Sequence, residues 1–297
     1  MSSTSLTASL PGAGPAAPAR ARRPLRWVRK HLGLFVGGVL LAAIVAVALA
    51  AGVLATHPPG DIDPLARLQP PSAEHLFGLD ALGRDVFSRA VWGSRVSLVV
   101  GIVVACAATV LGTLLGLVAA FVRWSDGWIM RLMDGLMAIP DVLLAVAMMA
   151  MLKPSLQTVA IAITVPQVPR VTRLVRSLAL VLREQPYVEA AHAIGTRLPL
   201  VLWRHVLPNM VTPVVVQATF IAATAVLTEA LLSFLGVGVP SQTPSWGNMM
   251  AEGRNYVTVA FHIILYPGLM LALTVLAINL LGDGLRDALD PRLARQL

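Results

Sequence analysis

The stretch Tyr187-Val188-Glu189-Ala190-Ala191-His192-Ala193-Ile194-Gly195, closing at Val206-Leu207-Pro208-Asn209, is a polar interruption between two long apolar runs. Pro186 stands where it can start a helix, and Glu189 falls in the first turns, where the helix dipole favours an acid. Gly195 permits a turn or a close crossing. Ala190 and Ala191 leave a surface that a partner can approach, and Arg197 and Arg204 bracket a second amphipathic stretch, Leu198–His205. The composition suits docking rather than spanning.

Outward from this interruption the chain is too apolar for a soluble domain: 57% hydrophobic, 13% charged, mean hydropathy +0.76. Soluble domains are nearer half apolar and a quarter charged. A helix crossing the hydrocarbon core needs about 20 mostly apolar residues. Six stretches qualify as expected spans: Leu32–Ala55, Val96–Val122, Trp128–Leu152, Leu156–Leu180, Met210–Leu235 and Val257–Gly282. Their short connections force antiparallel neighbours, so the expected fold is all-α, a polytopic membrane helical bundle with six transmembrane helices.

The net charge of +8 reads as topology rather than as nucleic-acid binding. With the first helix leaving the cytoplasm, 17 of the 23 basic residues fall inside and six (Arg67, Arg84, Arg89, Arg95, Lys153, Arg254) outside. This is the positive-inside bias and predicts two cytoplasmic termini. The first apolar run of 24 residues makes a helix of about 36 Å, long enough to span, whereas a signal-peptide core is only about 7–15 residues. It reads as an uncleaved anchor. Residues 1–30 read as a disordered basic tail suited to an anionic inner leaflet. Residues 31–93 read as an extension with the first span and an external segment, 94–287 as the core domain, and 288–297 as a cytoplasmic tail. The external segment opens with Pro58, Pro59, Pro64, Pro70 and Pro71, which argue for extended chain. A short surface helix is expected from Leu82 onward, with Val86 and Ala90 on its apolar side. Cys106, the only cysteine, is expected to be a buried small hydrophobe.

Several chemistries are missing. The only lysines are Lys30 and Lys153, and neither completes a G-x-x-x-x-G-K-[ST] phosphate loop. There is no H-E-x-x-H, no G-x-S-x-G, no metal-ligand spacing and no cofactor motif. An enzyme is therefore not expected. Intramembrane acids are costly and usually functional, which singles out Asp141 and Glu229 as candidates for the pathway or a gate. Asp141 follows Pro140; it either faces a central cavity and meets a substrate ammonium, or pairs with another helix or caps the proline break. Glu229 belongs near the outer end, as part of an outer gate or as a structural hydrogen-bonding group.

Glu189, Ala190, Ala191 and Gly195, with Leu207-Pro208 at a fixed interval, resemble the cytoplasmic "EAA" loop of permease subunits of bacterial ATP-binding-cassette (ABC) importers. The block His75-Leu76-Phe77-Gly78-Leu79-Asp80 through Gly83-Arg84-Asp85 and on to Ser97-Leu98 is similar to the segment preceding the core domain in the dipeptide, oligopeptide and nickel branch. Leu227-Thr228-Glu229-Ala230 through Gly238, Pro244-Ser245-Trp246-Gly247-Asn248, and Asn279 through Asp287 extend the likeness to about residues 75–292. Where the general pattern has an isoleucine three residues before the proline, this chain has His205; an Arg-His pair such as Arg204-His205 is frequent in the peptide branch. The resemblance implies a type I ABC importer permease fold with a cytoplasmic coupling helix. It assigns ATPase coupling to Glu189, Ala190, Ala191, Gly195, Arg197, Leu207 and Pro208. It implies a second homologous permease subunit as heterodimer partner, two ATP-binding ATPase subunits, an extracytoplasmic substrate-binding protein and a peptide substrate, in the inner membrane of a bacterium. It implies no nucleic acid and no bound cofactor. Nickel and glutathione importers carry the same blocks, and a proton-coupled secondary transporter using Asp141 and Glu229 as relays is the alternative from another class.

Overall fold

A computed structural model describes residues 32–289, all helix and connecting loop apart from one isolated β-bridge between Leu79 and Asp85. The expected tails, residues 1–30 and the close of 288–297, lie outside the described residues. In chain order the α-helices are α1 (Leu32–Leu49), α2 (Ala51–Leu54), α3 (Val86–Phe121), α4 (Arg123–Met137), α5 (Asp141–Met151), α6 (Leu156–Arg183), α7 (Pro186–Ala193), α8 (Leu198–Val201), α9 (Leu207–Phe234), α10 (Trp246–Gly253) and α11 (His262–Leu289).

Among the described residues, four helical runs are long and apolar enough to cross a membrane: α1, α3, the continuous run Leu198–Phe234 and α11. A fifth appears if α4 and α5 count as one span bent by 89°. The expected third span, Trp128–Leu152, is thus broken. Pro140 cannot donate to the helical ladder and disfavours helical backbone at Ile139, so α4 stops and α5 restarts at a new angle. The expected fourth span also differs. Its helix, α6, carries Arg170, Arg173, Arg176 and Arg183 and so lacks the apolar length of the other four. It is an internal helix: Val159, Ile163, Val171 and Val175 are all fully buried.

Close packing of backbones explains that burial. A Cβ on Gly112 of α3 would stand 2.4 Å from Val171 Cβ, and one on Gly116 2.7 Å from Val175 Cβ. Small residues at fourfold spacing let two helices approach where lipid supplies no hydrophobic driving force. Gly37 of α1 and Gly284 of α11 make the same kind of contact between those two helices, against Leu281 and Leu34.

The expected surface helix at Leu82 is absent as a separate element. Asp85 caps α3 by accepting from the Ser88 N–H at 2.7 Å, and α3 runs unbroken from Val86 through the second span. Before it, Gly83 has φ +77°, and its α-carbon packs onto the Asp63 carbonyl, where a side chain has no room. Cys106 is exposed, contrary to expectation, on the apolar side of α3 near Ala105 and Ile102. Near the start of α3, Trp246 is fully buried and donates from Nε1 to the Ala90 carbonyl at 2.9 Å, tying α10 to α3.

Candidate functional site

The polar interruption forms a helix-turn-helix knob. Helix α6 ends at Arg183, and Pro186 occupies the first turn of α7, where its missing N–H removes no helical bond. Glu189 lies in that first turn, near the positive end of the dipole. Val188, with no exposed surface, and Ala191 face inward; Glu189, Ala190 and His192 face outward. The α7 terminus is a Schellman turn: Thr196 N–H donates to the Ala191 carbonyl at 3.0 Å and Gly195 N–H to that of His192 at 2.9 Å. Gly195 has φ +79° with open space around its α-carbon, so its backbone conformation alone demands glycine. Arg197 is the N-cap residue of α8.

Between α8 and α9, Leu202–Val206 winds as one π-helical turn. Pro208, in the first turn of α9, cannot donate to Arg204, and a widened turn accommodates its ring. The Asn209 side-chain amide donates to the His205 carbonyl at 2.7 Å. Leu207 donates its N–H to Leu202, closing the widened turn. The rings of Tyr187 and His205 lie 6.3 Å apart, joining α7 to this turn. The result is a firmly seated knob whose outer tip carries Ile194 (82% exposed) and Trp203 (74% exposed).

Glu189, Ala190, Ala191, Gly195 and Arg197 therefore lie together on one knob, and Leu207 and Pro208 at its root. Asp141 and Glu229 lie elsewhere, apart from each other. Asp141 is the first residue of α5, and its carboxylate accepts from Arg170 at 2.6 Å and from Gln167 Nε2 at 3.3 Å. Arg170 is the first of a ladder: Arg173 pairs with Asp134, and Arg176 grips Asp126 through two hydrogen bonds of 2.5 and 2.6 Å. Glu229, completely buried on α9, accepts from Ser233 at 2.9 Å and from Ser97 of α3 at 3.2 Å. Between the C-terminal half of α6, the N-terminal half of α9 and the C-terminal end of α11 is a cavity of about 570 Å³, with Gln217, Phe220 and Arg286 in its wall.

Sequence reading missed the arginine ladder, although arginines at threefold spacing on one helix were its visible signal. It also missed a polar cluster where α10 meets the start of α3. Asp80 accepts from Arg84 Nε at 2.7 Å and Arg89 Nη1 at 2.6 Å, while Glu252 of α10 meets Arg84 at 2.5 Å. Burial pushes the Glu252 carboxyl up to about 7 against the pull of Arg84, and the neighbouring Asp80 carboxylate adds to the rise.

Comparison with known proteins gives the family and a likeness of fold. Residues 112–295 match the family described as "Binding-protein-dependent transport system inner membrane component". The "Probable peptide ABC transporter permease protein y4tQ" of Sinorhizobium fredii is 49% identical over 272 residues, covering 92% of this chain and 93% of that one. "Dipeptide transport system permease protein DppC" of Alkalihalophilus pseudofirmus is 42% identical, covering 92% and 90%. "Glutathione transport system permease protein GsiD" of Pectobacterium atrosepticum is 40% identical, covering 90% and 89%. A solved structure titled "Inward facing conformations of the MetNI methionine ABC transporter" superposes with a TM-score of 0.57 at 20% identity, over 69% of this chain and 97% of that one, a likeness of fold. With its spanning helices, its seated knob and relatives matched over nine-tenths of its length, this chain belongs to the family of binding-protein-dependent transport system inner membrane components.

Proposed function

We propose that this chain is the permease subunit of an ATP-driven peptide importer, and that the knob built on α7 and the π turn is its docking element for an ATPase. The observation that carries this reading is the knob itself: a helix with an inward Val188 and Ala191, an outward Glu189 and Ala190, and a glycine turn that only a left-handed backbone satisfies. The peptide substrate is supported by the names of the relatives at 49% and 42% identity, and the glutathione permease fits the same class, since glutathione is a peptide.

The chain crosses the membrane six times in this proposal, counting α1, α3, the bent α4 and α5 pair, α6, the α8 to α9 run, and α11. Both termini and the knob are cytoplasmic, which follows the charge bias. A second homologous permease completes the pathway, two ATPase subunits seat on the knobs, and an extracytoplasmic binding protein delivers substrate. ATP hydrolysis belongs to the ATPases. Their closure moves the knob; because Val188 and Ala191 are packed inward and α8 continues into α9, that movement is passed as a rigid-body tilt to the spans. Asp141 with Arg170 lines the pathway, where charge meets water rather than lipid. Glu229 braces the outer gate through Ser97 and Ser233.

The test is reconstitution of the four-subunit complex in proteoliposomes. ATP-dependent accumulation of a labelled dipeptide, requiring the binding protein, is expected. Accumulation driven by a proton gradient without ATP would replace this reading with secondary transport.

A further inference from the structure

We propose that His57, His75 and Asp85 form a zinc-type divalent-metal site on the outer face. Their spacing in the sequence gives no metal signature, but the fold brings one ligand atom from each to within 4.8 Å of the others. They come from three places: just after α2, the middle of the outer loop, and the cap of α3. His75 Nδ1 lies 3.1 Å from Asp85 Oδ1. Tetrahedral zinc, with bonds of roughly 2.0–2.2 Å, sets neighbouring ligand atoms about 3.4 Å apart, so this pair already stands near coordination spacing. The His57 ring is beside that of His75, with centroids 4.7 Å apart, and supplies the third ligand position.

The surroundings are built as a metal site requires. Asp85 Oδ2 is held by the Ser88 N–H at 2.7 Å, which fixes the carboxylate while Oδ1 faces the imidazole. The His57 backbone N–H donates to Ser88 Oγ at 3.1 Å, and the Thr56 hydroxyl lies 3.0 Å from His57 Nδ1, orienting the ring. A hydrogen bond between His75 and Asp85 accounts for those two residues but not for a second imidazole held against them. All three line a cleft of about 310 Å³ whose wall also holds Asp61, Asp63 and Glu74. Those acids lend the cleft a negative field, and the open side leaves a fourth position for water. Two imidazoles with one carboxylate select a borderline ion such as Zn²⁺ over the oxygen-seeking Mg²⁺ or Ca²⁺. Bound there, the ion ties the segment after the first span to the start of α3.

The test uses the full chain in detergent, purified through a tag that contains no histidine and stripped with chelator. Calorimetric titration with ZnCl₂ is expected to give one ion per chain in the presence of excess Mg²⁺. His57→Gln and His75→Gln, each with an unchanged size-exclusion profile, are each expected to weaken binding at least about tenfold, the loss that even an outer partner of a metal ligand causes. Co²⁺ in place of zinc is expected to give the visible bands of a low-coordinate site, and His57→Gln to abolish them. Absence of zinc binding, competition by Mg²⁺, or an affinity that either substitution leaves unchanged would overturn the proposal. His57→Gln alters a half-buried side chain beside the loop, so it keeps the test decisive should His75→Gln misfold.

Discussion

Arg170 of α6 donates to the Asp141 carboxylate at 2.6 Å, pinning the first turn of α5 to the middle of α6 just beyond the Pro140 break. A partly exposed ion pair contributes only about 0.2–1 kcal/mol to stability. Arg170→Asp is therefore expected to leave expression and assembly near native while lowering uptake at least about tenfold, the proposed lining of the pathway having its charge reversed. Restoring the pair as Arg170→Asp with Asp141→Arg is expected to recover part of that uptake. Equal uptake by native and single-variant transporters would remove Asp141 and Arg170 from the pathway.

Gly195 makes a sharper prediction. With open space around it, Gly195→Ala meets no clash, and its cost is that of a left-handed residue, about 1–2 kcal/mol. Asn tolerates that conformation better. ATPase stimulation by substrate is expected to fall in the order Gly, Asn, Ala, with membrane levels unchanged, as measured in reconstituted complexes.

Glu252 carries a pH dependence. Its carboxyl titrates at about 7 when folded, against 4.5 for the free group, so the folded state holds the proton more tightly than the unfolded chain. Its contribution to stability is full below about pH 4.5 and is lost as pH rises through about 7. Thermal stability of the native chain is expected to decline across that window relative to Glu252→Gln, whose side chain cannot ionise. Parallel melting curves for the two proteins from about pH 5 to about pH 8 would contradict the assignment.

Two glycines separate packing from backbone entropy. Gly112→Leu drives a side chain into Val171, an overpacking of about 1–3 kcal/mol or more. Gly127 in α4 has nothing near its α-carbon, so Gly127→Ala is expected to stabilise by about 0.5–1 kcal/mol. Detergent melting temperatures are expected to move in opposite directions.

Much of this architecture was legible before any coordinates. Pro186 as a helix start, Gly195 as a turn and the apolar spans at α1, α3, α9 and α11 follow from local rules, in which one residue type constrains its own backbone or a run of one composition meets one solvent. The break at Pro140 was visible only as a bend, since a proline specifies a lost bond and not the angle that packing selects. Helix α6 reads from sequence as an apolar run followed by inside charge, but three of its arginines, Arg170, Arg173 and Arg176, each meet an acid supplied by α4 or α5 some 29 to 50 residues away. The same limit hid the pairing of Glu252 with Arg84, 168 residues apart. Long-range pairing needs the fold, and so does the burial of Glu229 by a serine from α3.

The most direct measurement is co-purification of the tagged chain with its partners from detergent-solubilised membranes, comparing the native sequence with Glu189→Lys plus Gly195→Pro. Proline cannot adopt the φ of +79° that the turn needs, so the knob is lost while the spans are untouched. The native chain is expected to bring down an ATPase pair and a second permease, and the variant to retain the permease and lose the ATPases. Retention of the ATPases by the variant would contradict the docking role of the knob, and a native chain recovered alone would contradict the importer itself.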